Sequence, residues 1–246
     1  MKEFKADLHI HTVLSACASL EMSPSNIVGM AKENNIDLIG ITDHNSTLHC
    51  KLVKKLAEKR GVSVLLGVEV TTREEVHCLA YFEDLKTLEQ FQCYLDDHLP
   101  LMPYQPEKFG YQAVVDKNEK IIRMIDSYLN VALNQSIDQV EQEVHRLGGL
   151  FVPAHIERPM FGLFNQLGFL PWGLECDGMG IMKQSSEKEI REKFNINAEM
   201  PVLKASDAHS LSSIGSGYTW FEIRDLSFSE IKKALKGIEG RKIRTA

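Results

Sequence analysis

Cysteine is scarce in this chain and nowhere paired. Cys17, Cys50, Cys78, Cys93 and Cys176 are an odd number, and no two of them stand in a C-x-x-C spacing. That argues against a disulfide framework or a zinc ribbon and for a reducing compartment. Positive charge is short as well: 28 Lys and Arg against 34 Asp and Glu leave a formal net charge of −6. With no basic excess to grip a long phosphate backbone, long nucleic acid is not the expected partner. A small phosphorylated substrate fits better, because bound metal ions would supply local positive charge. No apolar run approaches the length of a membrane span, and MKEFKADLHI reads as the start of a strand rather than an export signal. A cytoplasmic protein without a membrane partner is expected. There is no G-x-G-x-x-G or P-loop pattern to support a nucleotide fold, no sequence repeat and no low-complexity tract.

What the chain does have is an alternation of strand-like and helix-like segments. At 246 residues and 43% hydrophobic it is long enough for one large core. Strands are expected near 4–11, 36–42 and 62–70, over VHCLAYF, LFVPAH, WGLECDG and PVLKASDAH, with YTWFEI last. Helices are expected from Ser23 and Pro24, over 47–60 and 84–98, from Ser136, near 186–194 and from Ser227. SIDQ at Ser136 and the Ser227 to Glu230 spacing both read as capping boxes. About seven strand–helix units argue for a parallel sheet closed into a barrel, with an open doubly wound sheet as the alternative. The stretch 99–135 breaks the pattern: it carries prolines and mixed polar residues and reads as an insertion or lid within a single domain spanning 1–246.

Two histidines stand in the first strand, in DLHIHT. Side chains alternate along a strand, so Asp7, His9 and His11 are expected on one face and Leu8 and Ile10 on the other. Neutral imidazoles placed side by side are a ready pair of metal ligands. Similar placements recur. Asp43 and His44 follow the second strand, Glu69 ends the third, His77 lies in the fourth, His155 follows VPA, and Asp207 and His209 follow PVLKAS. A parallel barrel gathers its strand C-termini on one rim, so these residues should converge. Imidazoles with carboxylates suit Zn, Mn or Fe, and eight candidates (His9, His11, His44, Glu69, His77, His155, Asp207 and His209) are too many for one tetrahedral ion. Two or three ions are implied. A bridging carboxylate would set them ~3.5–4 Å apart, the spacing of metal-assisted phosphoester chemistry. Singly, each pattern is better explained by a helix cap or a satisfied core histidine; jointly they are not.

DLHIHT, GITDHN, GVEVT with EEVHCL, PAHIE and ASDAHSLSSIG, in this order, resemble the motifs of the polymerase and histidinol phosphatase (PHP) family of metal-dependent phosphoesterases. The resemblance covers the chain except the stretch near 99–135. It implies a distorted seven-stranded β/α barrel of TIM-like form with a two- or three-metal site. One ion would be held by His9, His11, Glu69 and Asp207. Glu69 would bridge to a second with His77 and His155, and His44 and His209 would hold a third. The family usually completes that third site with an Asp or His shortly after the first motif. Here SACAS offers only Cys17, either a thiolate ligand or a small buried residue. His44 and His209 would assist the leaving group, and Arg158, ahead of Arg73, would orient phosphate. The expected activity is metal-dependent hydrolysis of a small phosphate ester such as a nucleotide. The alternatives are 5′–3′ exonuclease action on short nucleic acid, amide hydrolysis with Lys204 as the lysine to check, and a catalytically silent metal-binding accessory role.

Overall fold

A computed structural model describes residues 1–245. Its elements in chain order are β1 (Lys2–Ile10), α1 (Pro24–Glu33), β2 (Leu38–Ile41), α2 (Cys50–Glu58), β3 (Ser63–Thr71), β4 (His77–Phe82), α3 (Leu85–His98), α4 (Pro106–Phe109), β5 (Ala113–Val115), β6 (Ile121–Met124), α5 (Ile137–Arg146), β7 (Leu150–Pro153), α6 (Leu163–Leu167), β8 (Met179–Ile181), α7 (Glu187–Phe194), β9 (Val202–Lys204), β10 (Thr219–Ile223), α8 (Phe228–Leu235) and β11 (Lys242–Thr245).

Seven strands form the main sheet in the order β11-β10-β1-β2-β3-β4-β7, and β8 pairs with β9 beside it. Backbone hydrogen bonds curl these into a distorted barrel. Asp177 N–H donates to Phe151 and Ile156 N–H to Gly180, joining β7 to β8. Ala208, just past β9, bridges Ile10 in parallel and joins β9 to β1. The ring therefore runs β1-β2-β3-β4-β7-β8-β9. It is not all parallel as expected: β4 pairs antiparallel with both β3 and β7. A short turn, too short for a helical crossover, links β3 to β4 and reverses the chain there. The reversal brings the first residue of β4, His77, to the rim where the other strands end, with Thr71 as its register partner.

Alternation decides what faces the barrel interior. Leu38, Leu65, Leu79, Tyr81, Val152 and Leu203 pack inside. Ile39, Ile41, Leu66, Val68, Val70 and Phe151 pack outside, in the cluster that includes residues of α1, α2, α3 and α5. Glu69, between the outward Val68 and Val70, therefore points in. Gly40 leaves room where a Cβ would lie 2.3 Å from the Leu8 carbonyl oxygen. In β1 the alternation breaks. The β1–β2 register shifts between Asp7 and Ile10, a bulge. Leu8 packs inside and Ile10 outside, so they do not share a face as expected.

Several local expectations hold. Ser23 caps α1 with Pro24 next, and Ser136 and Gln139 form a full capping box. At Ser227 only half the box forms. Its hydroxyl accepts from Glu230 N–H, but the Glu230 carboxylate turns to Arg224 N–H and the buried Arg241. WGLECDG is not a strand; the strand begins at Met179, and β11 follows YTWFEI as the last one. The 99–135 stretch contains α4 and the β5–β6 hairpin, docked on the loop after β1 through Ala113 N–H to Val13.

Candidate metal centre

All eight residues singled out as ligands meet at the C-terminal rim of the barrel. Glu69 is the hub. Within reach of its carboxylate lie His77 Nδ1 at 3.0 Å, His44 Nδ1 at 3.1 Å, His9 Nε2 and His155 Nε2 at 3.2 Å, and His11 Nε2 at 3.3 Å. Asp207 Oδ1 faces His9 Nε2 at 3.3 Å and His11 Nε2 at 3.4 Å. The His209 ring stacks on that of His11, centroids 4.2 Å apart. Six of the eight are buried; Asp207 and His209 keep about 30% of their side chains exposed and mark the open side.

Backbone strain supports the convergence. His155 holds φ +29° and Asp207 φ +51°, left-handed values that cost about 1–3 kcal/mol each in a non-glycine residue. Such strain persists where the surrounding structure demands a particular side-chain direction. Around the ligands runs a shell of hydrogen bonds that sequence reasoning missed. Ser15 donates its one hydroxyl proton to Asp43 Oδ1 at 2.7 Å, so toward His11 Nδ1, 3.0 Å away, it accepts. That puts the His11 proton on Nδ1 and aims the Nε2 lone pair into the cluster. His209 does likewise by donating from Nδ1 to the Asp207 carbonyl at 2.8 Å. A second relay holds the loop after β1. Val115 N–H donates to His49 Nε2, His49 Nδ1 to Thr12 Oγ1, and Thr12 Oγ1 to Asp43 Oδ2. The trace of this shell in the sequence is the Ser, Thr and Asp around DLHIHT and TDHNST.

Asp7 and Asp43 are not in the cluster. Asp7 accepts from Ser206 N–H and Gly215 N–H, and the bulge in β1 turns it away from His9. Arg158 Nη1 meets Asp207 Oδ2 at 3.2 Å, at the edge of the site. Arg73 points elsewhere, exposed beside Glu74. Cys17 is exposed, which excludes a small buried residue.

The donor set fits metal ions. A carboxylate has about four lone-pair sites, and five imidazoles converge on Glu69. His9 Nε2 and His11 Nε2 also face each other at 3.1 Å. Hydrogen bonds alone cannot satisfy that set: His77 Nε2 and His155 Nδ1 are buried without a hydrogen-bond partner, and His44 Nδ1, though 3.1 Å from the Glu69 carboxylate, lacks the geometry to bond it. Within this cluster, three groups of the described residues have ligand atoms close enough to share an ion: His9–His11–Glu69, His44–Glu69–His77 and His11–His44–His209. Burial holds His44, His77 and His155 below the usual imidazole pKa, as neutral ligands require. Burial acts against the Glu69 carboxylate too, but the surrounding histidines outweigh it and hold its pKa well below normal.

Residues 7–156 match the PHP domain, and residues 189–237 match the PHP-associated domain. The chain belongs to the PHP family. That family comprises metal-dependent hydrolases of phosphoester bonds. Among curated relatives, the uncharacterised protein YqxK of Bacillus subtilis (strain 168) is 25% identical over 276 positions, covering 99% of this chain and 64% of its own. Among solved structures, the lesion-specific endonuclease PfuEndoQ from Pyrococcus furiosus superimposes with a TM-score of 0.75 at 24% identity, over 98% of this chain and 58% of its own. A complex of endonuclease Q with a 27-mer duplex substrate, an abasic lesion at its active site, gives a TM-score of 0.73 at 22% identity. At these identities the likeness is one of fold. The chain thus spans under two thirds of the length of these relatives. Among the described residues no helix is long and apolar enough to cross a membrane.

Proposed function

We propose that this protein hydrolyses phosphate esters with two or three divalent ions, zinc, manganese or iron, held by His9, His11, His44, Glu69, His77, His155, Asp207 and His209. The observation that carries this is the convergence of five imidazoles on the buried Glu69 carboxylate. Ions held there would supply Lewis-acid charge and a nucleophile at neutral pH. The chain does the rest. Glu69 and Asp207 set the negative charge of the site. Arg158 spends one of its five N–H donors on Asp207 and offers others to a phosphate oxygen. With a third ion bound, His44 and His209 hold it beside the leaving oxygen; with two ions, His209, partly exposed at the open side with its Nδ1 held by the Asp207 carbonyl, is placed instead to give that oxygen a proton. The 99–135 segment acts as a fixed cover on one side, favouring a small phosphorylated substrate.

The fold likeness to endonuclease Q favours a second substrate class, the phosphodiester of a nucleic acid. The net charge of −6 that argued against a long duplex loses force here, since local charge at the site, not the chain's total, meets the backbone. One experiment addresses both. Metal-stripped protein is given manganese, iron or zinc and offered a panel of small phosphoesters and an abasic-site duplex. Phosphate release or strand scission that needs metal and is lost in His155→Ala supports the proposal. No reaction with any ester, by protein shown to be loaded, sinks it.

A further inference from the structure

The loop between β7 and α6 is strained at two points. His155 holds φ +29°, and Phe161 holds φ +64°. A left-handed backbone is an outlier for a bulky aromatic residue and persists only where the surrounding structure imposes it. The loop is closed on itself. Arg158 N–H donates to the His155 carbonyl at 2.8 Å, and Asn165 Nδ2 donates to the carbonyls of Glu157 and Arg158. Gly162 is packed so tightly that a Cβ would stand 2.4 Å from the Arg158 carbonyl oxygen. This folding turns Phe161 back over the rim. Its ring lies on the ring of His77, centroids 4.3 Å apart and planes 13° from parallel. Its carbonyl accepts the His77 N–H at 3.0 Å.

His77 is the ligand with most need of such a brace. It is the first residue of β4, the strand that runs against both neighbours, so it enters the cluster from the start of a strand. The rings of His11 and His209 are each oriented through Nδ1, by the Ser15 hydroxyl and by the Asp207 carbonyl. The His77 ring has no such bond among the described residues. Its Nδ1 faces Glu69 at 3.0 Å, and its Nε2 has no hydrogen-bond partner. The neighbouring rings of His44 and His155 meet it at 60° and 54°, edge-on or tilted. A broad two-fold torsion leaves an imidazole free to turn about its second side-chain bond. A ring lying flat on its face opposes that turn, and offset or edge-on aromatic pairs add attraction beyond the area they bury.

We propose that Phe161 is a positioning residue of the metal centre: by stacking on His77 it fixes that ring, and so sets the affinity of the ion that His77 shares with Glu69. This rests on the metal centre proposed above. The test is manganese binding rather than turnover. Metal-stripped wild type, Phe161→Ala, Phe161→Leu and Phe161→Tyr are titrated with manganese, and the free ion is counted by electron paramagnetic resonance. The same spectra show whether bound ions are coupled through a shared carboxylate. Phe161→Ala keeps the backbone bond to His77, and is expected to weaken one ion about tenfold while the others bind as in wild type. At one ion short of full loading its coupled signal should give way to that of isolated ions. Phe161→Tyr keeps the flat ring and should restore both readings. Phe161→Ala that binds every ion as wild type does, or that weakens all of them alike, overturns the proposal and leaves the metal centre standing. A wild type that binds no manganese overturns the metal centre and the proposal together. If Phe161→Ala does not fold, Phe161→Leu, which keeps apolar bulk without a flat ring, decides by the same criteria.

Discussion

Ser15 lies between two polar partners, donating to Asp43 and accepting from His11 Nδ1. Ser15→Ala removes the group that fixes the His11 tautomer and leaves Asp43 short of a donor. Partners of this kind are worth about 10–100-fold in metal affinity, so manganese titration should show a weakening of that order with little loss of fold. Away from the site, His145 bridges two acids. Nδ1 meets Glu141, and Nε2 meets Asp177 at 2.8 Å. The hydrogen bond with Asp177 leads in raising its pKa above the usual imidazole value, against partial burial. A raised histidine contributes stability that is complete below the unfolded pKa, about 6.5, and is lost as pH rises through the folded value. Urea unfolding from pH 5.5 to 9 should therefore show wild type losing stability with pH more steeply than His145→Gln; parallel curves would refute it. Nothing in the sequence singles out His145, because its partner Asp177 is 32 residues away and no local pattern announces the pair. The ligand histidines were legible for the opposite reason: each sits at a strand end, where alternation and a barrel rim dictate its direction.

At the scale of elements, the strand ends were readable and the connections were not. Continuous apolar runs placed β2 and β3, and the capping residues placed α1 and α5. The reversal of β4 was not visible, since a buried strand looks alike in either direction. The bulge in β1 was hidden as well, because one slipped residue leaves the apolar count unchanged. The 99–135 segment showed only as an irregularity, while its fastening lies in contacts far apart in sequence. One is His49 Nε2, which accepts from Val115 N–H 66 residues on. Another is Gly110, at φ +95°, where a Cβ would stand 1.8 Å from the Ala16 carbonyl oxygen. Gly110→Ala should lift this segment off the loop after β1. Denaturant unfolding is expected to show a loss of about 1–3 kcal/mol, with faster amide exchange at Val115. Unchanged exchange there would mean that the segment is held elsewhere.

At the scale of the molecule, the barrel gathers groups from positions 9 to 209 into one buried polar knot. Such a set is costly to desolvate, and bound ions are the physical reason for a fold to keep it. The most direct measurement is the metal content of purified protein, loaded with manganese or zinc, desalted and counted per chain, in wild type and Glu69→Gln. The hub position of Glu69 predicts two or more ions per chain in wild type and at least one fewer in the variant. A wild type that retains no ion, or a variant that retains the full number, would contradict the assignment of this cluster as a shared metal centre.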